Sequence, residues 1–507
     1  MLASITSETL IGLQGRAVHV EADVACAAPA FSIVGLPDAA VQESRERVRA
    51  AITNSGFDFP SRRITVNLAP ADLRKAGPSF DLPIALAFLM ATGQVGSCPS
   101  GLAAFGELGL DGAIRPVTGA LVLAESMRRR GVRGVIVARG NAAEAALVAG
   151  LDVYPADDLR QAATVLAAGT GERASVLPLG SLVAPPQSDA DINEICGQEQ
   201  AKRALEIAAA GAHNLLMVGP PGSGKTMLAR RLPGILPELS VDEAIEITRV
   251  HSVAGLLPAD VPLVCARPFR APHHTISTSG LVGGGASPRP GEVSLAHLGV
   301  LFLDEFPEFR LGALEGLRQP LEDGHVTISR ALTSVTFPAR LTLVAAMNPC
   351  PCGFRGDRHQ ECTCPQHRVL QYVAKLSGPL LDRIDMRIAV PRVAPEARRS
   401  RAEGEASSVV RLRVHAARER QRRRFAGTGV YANGHMNARQ LQRQCCLDPA
   451  AVGMLDRAYD KLRLSARACD RVIKVARTIA DLSGSSAVCC EHVAEALSFR
   501  VGSAERG

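Results

Sequence analysis

The sequence predicts an α/β protein with an N-terminal α+β module, a three-layer core around a parallel sheet, and a helical C-terminal region. Three observations predict it. In residues 1–165, short β-rich runs alternate with Ala/Leu-rich helical stretches. From Gln198 to about residue 393 the patterns alternate as helix and strand, the mark of a mostly parallel sheet covered on both faces. From residue 394 onward the pattern is helical throughout.

Composition bounds these regions. A chain of 507 residues exceeds the ~250–300 residues at which single cores stop growing. Apolar residues at 47% and charged residues at 21% exclude wholesale disorder. Aromatic residues are only 4%, with no Trp, which argues against base or sugar stacking as the main business of the chain. No basic segment followed by an apolar one opens the sequence, so no signal peptide is expected. The longest apolar run, Leu82 to Ala91, is too short to span a bilayer and reads as a buried helix. No membrane partner and a cytoplasmic location follow as expectations, with the thirteen Cys as reduced thiols, metal ligands or buried side chains.

Within the N-terminal module, Ile64–Leu68 and Gly134–Ala138 read as strands, and Pro83–Met90 and Leu121–Arg130 as helices. Residues 166–190 lack periodicity and carry Gly, Ser and Pro, a linker signature. The expected organisation is therefore 1–165, a linker over 166–190, a core over 191–393 and a helical domain over 394–507.

The core opens with a helix over Gln198–Ala210 and a strand over His213–Val218. The strand runs into Gly219, Pro220, Pro221, Gly222, Ser223, Gly224, Lys225 and Thr226, and then into a helix, Met227–Leu232. This is a phosphate-binding loop in its strand–loop–helix setting. Its glycines let the backbone turn tightly, so that N–H groups and the helix N-terminus face the phosphates. Lys225 supplies a cation to the β- and γ-phosphates of ATP, and Thr226 a hydroxyl to Mg²⁺. A buried strand over Gly299–Leu303 then ends in Asp304, expected at the Mg²⁺, and Glu305, expected to orient and deprotonate the attacking water. A third strand, Leu341–Met347, ends at Asn348, which is placed to bond the γ-phosphate or the water, or else to cap the turn.

Together with Gly378-Pro379-Leu380-Leu381-Asp382-Arg383-Ile384-Asp385, these elements resemble an AAA+ ATPase. The finer pattern resembles the magnesium-chelatase-like AAA+ ATPases of the YifB/ComM family. It stands here as Pro268-Phe269-Arg270-Ala271-Pro272-His273-His274, Gly291–His297, Asn348-Pro349-Cys350-Pro351-Cys352-Gly353 and Ala476–Leu482, and the resemblance spans nearly the whole chain. It implies a homo-oligomeric, hexameric ring in which each nucleotide site is completed by a neighbouring subunit. Arg383 then matches the arginine finger; the alternative is a surface Arg paired with Asp382 or Asp385. Arg467 resembles the phosphate-contacting arginine of the helical lid, with Arg471, one turn on, as the alternative.

The N-terminal module resembles the Lon-protease fold. Asp72–Ser79 matches the segment that carries the nucleophilic serine of Lon proteases, at Ser79. The partner lysine is expected where this chain has Leu121, and the only Lys in the first 200 residues is Lys75. The Ser–Lys dyad is broken, so the module is expected to be non-proteolytic and to serve as an interaction module that recruits a protein partner.

Cys350, Cys352, Cys362 and Cys364 form two close pairs across a short loop, a pattern able to hold structural Zn²⁺, with His359 and His367 as substitute ligands and reduced surface thiols as the rival reading. The adjacent pairs Cys445/Cys446 and Cys489/Cys490 read as small buried residues of helices, and His273-His274 as part of an insert over Pro268–Pro290 with a loose Gly283–Gly285 tip. Val326–Arg330 and Val335–Phe337 alternate as a hairpin, and the resemblance places both hairpin and insert in a central pore, where Arg289 and Arg330 would touch phosphates.

The formal net charge is +7, and residues 395–424 hold ten Arg against four Glu, so the rest of the chain is close to neutral. The helix over Val409–Phe425 therefore reads equally as a DNA contact and as a solvated connector, and the resemblance inclines it to DNA. The function expected is a ring-forming ATPase that translocates on or remodels DNA, branched or single-stranded, in the manner of a branch-migration motor or helicase, in recombination during natural transformation. The alternatives are a motor subunit for metal insertion into a porphyrin, against which the extra N-terminal domain and the Cys quartet stand, and an ATP-dependent protease, against which Leu121 stands.

Overall fold

Strict apolar–polar alternation makes the first hairpin. In β2 (Gln14–Ala25) Val18, Val20, Ala22 and Val24 all point into the core, and the strand pairs antiparallel with β1 (Leu2–Ile11) across a tight turn at Gly12 (φ +61°). The computed structural model describes residues 2–175, 190–258, 261–285, 288–330, 334–357, 359–393 and 404–501, so most of the expected linker, Arg398, Arg399 and Arg401 lie outside the described residues. The chain forms two compact units, Met1–Val183 with Val241–Val264, and Ala184–Ser240 with Cys265–Gly507.

In the first unit, β1 and β2 join β3 (Ala30–Val34), β4 (Arg63–Ala69), β5 (Leu102–Ala104), β6 (Gly134–Ala138) and β7 (Asp152–Ala156). The seven-stranded sheet has the order β3-β4-β2-β1-β5-β6-β7, antiparallel around β2 and parallel from β1 to β7. The helix Asp81–Ala91 is buried at every position, as the unbroken apolar run Leu82–Ala91 requires and as the Arg47 pair at 2.8 Å allows for Asp81, and it packs on β1 and β2. Such side chains as Phe88 and Leu86 each stabilise the core by about 1.5–3 kcal/mol. The helix Val241–Ala254 packs against the helix Ala120–Arg129 of this unit, although its sequence lies between two strands of the second.

The second unit is a parallel sheet of β8 (Leu215–Val218), β9 (Phe269–Arg270), β10 (Val300–Leu303), β11 (Thr342–Met347) and β12 (Met386–Ala389), in the order β9-β10-β11-β8-β12. All four residues of β10 and all six of β11 are buried, as central strands covered on both faces must be. The register aligns Val218 with Met347 and Leu303 with Ala345, so the loops after β8, β10 and β11 leave from one edge. This is the three-layer α/β core the sequence predicts.

The C-terminal helices Ser407–Arg424, Ala438–Gln444, Pro449–Leu462, Ala466–Leu482 and Cys490–Val501 follow. Asn437, Asp448 and Ser465 cap three of them by accepting bonds from backbone N–H groups three residues on. No helix among the described residues is long and apolar enough to cross a membrane.

Three expectations need correction. In the insert, Gly283–Gly284, read as loose, pairs with Arg289–Pro290, and the preceding helix, Thr278–Val282, buries Leu281. Of the adjacent cysteine pairs only Cys445 is buried; Cys446 is exposed and Cys489 and Cys490 are half-buried. Cys445 ends its helix and Cys446 follows it, where Leu447 bridges to Val488. The basic helix, lastly, is a packed element. Val410, Val414, Ala417 and Gln421 form a buried stripe at helical spacing.

A polar hub holds these helices together. Asp481, fully buried, accepts from Arg477 at 2.9 Å, from Arg424 at 2.8 Å and from the Asn433 amide at 2.8 Å. Asn433 also donates to Thr478 at 3.0 Å. Removing one member of a buried charge pair leaves the other uncompensated. Asp481→Ala is therefore expected to lose about 3–5 kcal/mol of stability, and Asp481→Asn less, because its amide oxygen still accepts. Far-UV circular dichroism in urea is the measurement, since the chain has no Trp. An Asp481→Ala midpoint equal to that of the parent chain contradicts the assignment.

Candidate active site

β8 delivers the chain to Gly219, whose N–H donates to the Met347 carbonyl of β11 at 3.2 Å. A Cβ on Gly219 would collide with the Val390 carbonyl, which is why the loop opens on glycine. Gly222 and Gly224 adopt φ of +75° and +90°, open only to glycine without strain. The helix Lys225–Ile235 starts directly after, so the first N–H groups of its axis have no carbonyl of the same helix to bond. Ser223 is buried with a hydroxyl that has no partner among the described residues. A cradle of open glycines, free N–H groups and an orphaned hydroxyl fits a polyphosphate.

Lys225 is buried in this loop. Its ammonium donates to the carbonyls of Gly219 at 2.7 Å and Pro220 at 2.9 Å and to Asn348 Oδ1 at 3.3 Å. Burial pushes its pKa down, and the negative charge of Asp304 opposes that shift. Thr226 Oγ1 donates to Asp304 Oδ2 at 2.6 Å, which gives a hydroxyl and a carboxylate side by side, a hard oxygen donor set suited to Mg²⁺. The ends of β8, β10 and β11 thus bring Lys225, Thr226, Asp304 and Asn348 into one hydrogen-bonded group.

Glu305 follows Asp304 in the left-handed backbone region (φ +52°), which costs a non-glycine residue energy. Its N–H donates to Asp304 Oδ1 at 2.9 Å, and its carboxylate lies 3.2 Å from His274 Nδ1. His274 is fixed between the His273 ring, 4.1 Å centroid to centroid, and the edge of Phe309 at 6.4 Å. The His274–Glu305 contact is absent from the sequence reading. The only signal for it is that the His pair follows β9, the strand next to β10.

Arg383 stands apart from this group. Its side chain pairs with Glu322 and donates to the Pro379 carbonyl at 2.7 Å, so its ion pair is with neither Asp382 nor Asp385. Its own carbonyl accepts from Asn214 Nδ2 at 2.9 Å. Arg467 is exposed in the first turn of its helix, whereas Arg471 pairs with Asp385 at 2.8 Å. Burial pushes the Asp385 carboxyl up, but His213 at 3.5 Å and the Arg471 charge outweigh it and hold it well below the usual carboxylate range.

Cys350, Cys352, Cys362 and Cys364 converge, with all four sulfurs within 4.8 Å of one another. His359 and His367 are exposed and outside the cluster. A bond from the Phe354 backbone N–H holds the Cys352 thiol down to about 6.

Most of the basic helix is consumed internally. Arg413 pairs with Glu206 and Glu405, Arg418 donates to the Ala209 carbonyl, Arg420 to the Asp481 carbonyl, Arg422 to Glu419, and Arg424 to Asp481. Arg423 is exposed and Arg411 half-buried, neither with a partner among the described residues. Outside this helix, Arg289 and Arg330 are both exposed on adjacent hairpins, where Gly283 meets Ile328 and Gly284 lies against Arg330.

In the first unit, Ser79 lies in a short turn, Pro78–Phe80. Leu121 is fully buried, and its N–H donates to Glu144 at 2.8 Å. Lys75 is buried as well, and its ammonium donates to the Pro70 carbonyl. Burial lowers its pKa, against the attraction of Asp72.

Three family models match successive parts of the chain: the ChlI subunit of Mg-chelatase over residues 20–141, magnesium chelatase subunit ChlI over 191–398, and the ChlI C-terminal region over 404–500. The uncharacterised protein YifB of Salmonella typhimurium is 45% identical over 505 residues, covering 98% of this chain and 97% of its own. The competence protein ComM of Haemophilus influenzae is 44% identical over 512 residues, with 98% and 97% covered. An archaeal Lon protease of Methanothermobacter thermautotrophicus is 31% identical over 94 residues, 18% of this chain and 14% of its own. With such identity over nearly its whole length, the chain belongs to the YifB/ComM family of magnesium-chelatase-like AAA+ ATPases.

Proposed function

We propose that the chain assembles into a hexameric ring and uses ATP hydrolysis to translocate on or remodel DNA, in the manner of a branch-migration motor. The observation that carries the ATPase half is the hydrogen-bonded group of Lys225, Thr226, Asp304 and Asn348 at one edge of a parallel sheet. Gly219–Thr226 would hold the triphosphate, and Thr226 with Asp304 would hold Mg²⁺. The metal would neutralise charge on the phosphoryl group passed to water. Lys225 balances phosphate charge, Asn348 orients through its amide, and Glu305 accepts the proton of the attacking water once it leaves His274. Arg383, held by Glu322 within one subunit, would act on a neighbour's site by exchanging that carboxylate for phosphate. Of the two lid arginines, Arg471 is the one joined to this machinery, through Asp385. Zinc on the Cys quartet would be structural.

The DNA half is supported by the paired exposed Arg289 and Arg330, with Arg423 as a further contact. The name of the relative ComM, a competence protein, points to the same setting of DNA uptake and recombination. The chelatase reading keeps one support, since all three matching models carry the chelatase subunit's name. The match over residues 20–141 also means that the N-terminal module does not separate the two readings. The module would serve as a docking site for a protein partner.

Glu305→Gln is expected to bind ATP like the parent chain and to hydrolyse it at least about 100-fold more slowly, read by nucleotide binding and phosphate release. Undiminished hydrolysis removes Glu305 from the base role. Branched DNA is expected to raise the ATPase rate of the parent chain and to bind with a steep inverse salt dependence. Arg289→Ala and Arg330→Ala should each reduce the slope of log K against log salt by about 1. If branched DNA neither binds nor changes the rate, the motor reading fails and the chelatase reading takes its place. Incubation with casein and ATP is expected to give no cleavage. Cleavage that disappears in Ser79→Ala would restore the protease reading.

A further inference from the structure

Between β11 and the helix Gln366–Ala374 no described residue lies in a helix or strand, yet Cys350 and Gly353 are buried there. Its own backbone bonds are few: Gly353 N–H to the Cys350 carbonyl and Asp357 N–H to the Phe354 carbonyl, both at 3.0 Å. Arg392 anchors one point of it, 3.2 Å from Asp357 and 5.5 Å from the centre of the Phe354 ring, and a further cross-link would close it. The sulfurs supply the geometry for one. Cys350 Sγ lies 3.4 Å from Cys352 Sγ and 3.5 Å from Cys362 Sγ, and Cys352 Sγ lies 3.6 Å from Cys362 Sγ. The fourth sulfur, of Cys364, accepts from the Cys352 N–H at 3.3 Å. These separations far exceed the ~2.05 Å of a disulfide. They approach the roughly 3.8 Å edge of a tetrahedron with Zn–S bonds of ~2.3 Å.

The same segment touches the phosphate loop. Gly353 (φ +88°) packs so closely on Pro221 that a Cβ there would lie 2.6 Å from Pro221 Cδ and 3.8 Å from Asn348 Cγ. Asn348 in turn accepts from Lys225 at 3.3 Å. On the far side of the quartet, Tyr372 is buried and bonded to the backbone of Asn348.

We propose that Zn²⁺ on Cys350, Cys352, Cys362 and Cys364 is a working part of the nucleotide site: it fixes the 349–353 loop, which braces the phosphate loop at Pro221 and holds Asn348 against Lys225. The proposal rests on the ATPase reading and deepens it. The four sulfurs come from both ends of the loop, so a single ion closes it into a rigid knuckle. Without that closure, the Gly353 N–H bond and the Arg392 contacts at Asp357 and Phe354 are left to keep Gly353 on Pro221. The cysteines are then positioning residues, acting on ATP through Asn348 and the loop.

Full-length protein grown with supplemented zinc is expected to carry about one zinc per chain by elemental analysis. Zinc below a tenth of an equivalent, or iron in its place, overturns the metal assignment. A Cys362→Ser/Cys364→Ser variant should lose the metal and weaken binding of a fluorescent ATP analogue by about tenfold or more. Removing zinc from the folded parent chain with an organomercurial and chelator should weaken binding equally, and returning zinc should restore it. That experiment decides the matter even if the variant misfolds. Lys225→Ala should keep its zinc while losing nucleotide. If zinc is lost and nucleotide affinity stays within twofold of the parent, the coupling is wrong although the metal site stands. If zinc-loaded parent protein binds no nucleotide, the ATPase reading itself fails.

Discussion

A buried ammonium must find acceptors for its protons or lose its charge, and the candidate site is arranged around that requirement at Lys225. Two of its acceptors, the carbonyls of Gly219 and Pro220, belong to its own loop, and the third, Asn348 Oδ1, belongs to the end of β11. The bond to Asn348 can exist only if β8 and β11 are neighbours in register, as the pairing of Val218 with Met347 makes them. Asp304 enters from the other side of β11, and its negative charge opposes the loss of the proton. The order of the sheet, the glycine-only backbone and the choice of Asn at the end of β11 all follow from housing one cation.

Asn214, one residue before β8, carries that constraint further. Its N–H donates to Asp385 at 3.0 Å, its amide nitrogen to the Arg383 carbonyl at 2.9 Å, and its amide oxygen accepts from Leu343 N–H at 2.9 Å. The strand that feeds the phosphate loop is therefore tied to β11 and to the Arg383 segment by one side chain. Asp385 extends the chain of bonds to Arg471 and His213, and His213 to Thr478 at 2.7 Å, next to the Asp481 hub. The helical domain is joined to the sheet through ordered polar contacts as well as through apolar packing.

What was legible in the sequence divides along the range of the interactions concerned. β6 was read at its observed bounds, and β8, β10 and β11 within two residues, because a buried parallel strand is an unbroken apolar run. Lys225, Thr226 and Asp304 were legible because a phosphate loop and an apolar strand ending in acid are local patterns. The fate of the basic helix was not, because its partners Glu206 and Asp481 lie far away in sequence. Its buried stripe of Val410, Val414 and Ala417 is narrow and hidden among seven arginines. The Cys quartet was legible as a pattern, but its contact with Pro221 was not, since no spacing encodes which loop a Gly353 backbone meets. The pairing within the insert was missed for the same reason: Gly283 and Gly284 look loose until Arg289 and Pro290 pair with them.

The first unit shows why a single cut in the sequence cannot separate its domains. Glu144 is a buried carboxyl, and burial pushes its pKa up. Its carboxylate accepts from the Leu121 N–H and from the Ser252 hydroxyl, and Gly119 N–H donates to the Ser252 carbonyl at 3.1 Å. Arg249, from the same helix as Ser252, binds Glu125 through two nitrogens at 2.9 and 2.6 Å. Ser252 and Arg249 therefore complete the bonding of Glu144 and of Glu125, the latter on the helix that carries Leu121. Residues 241–264 are thus bonded into this unit through Ser252 and Arg249, so a cut anywhere between its strands and the phosphate loop would divide the unit.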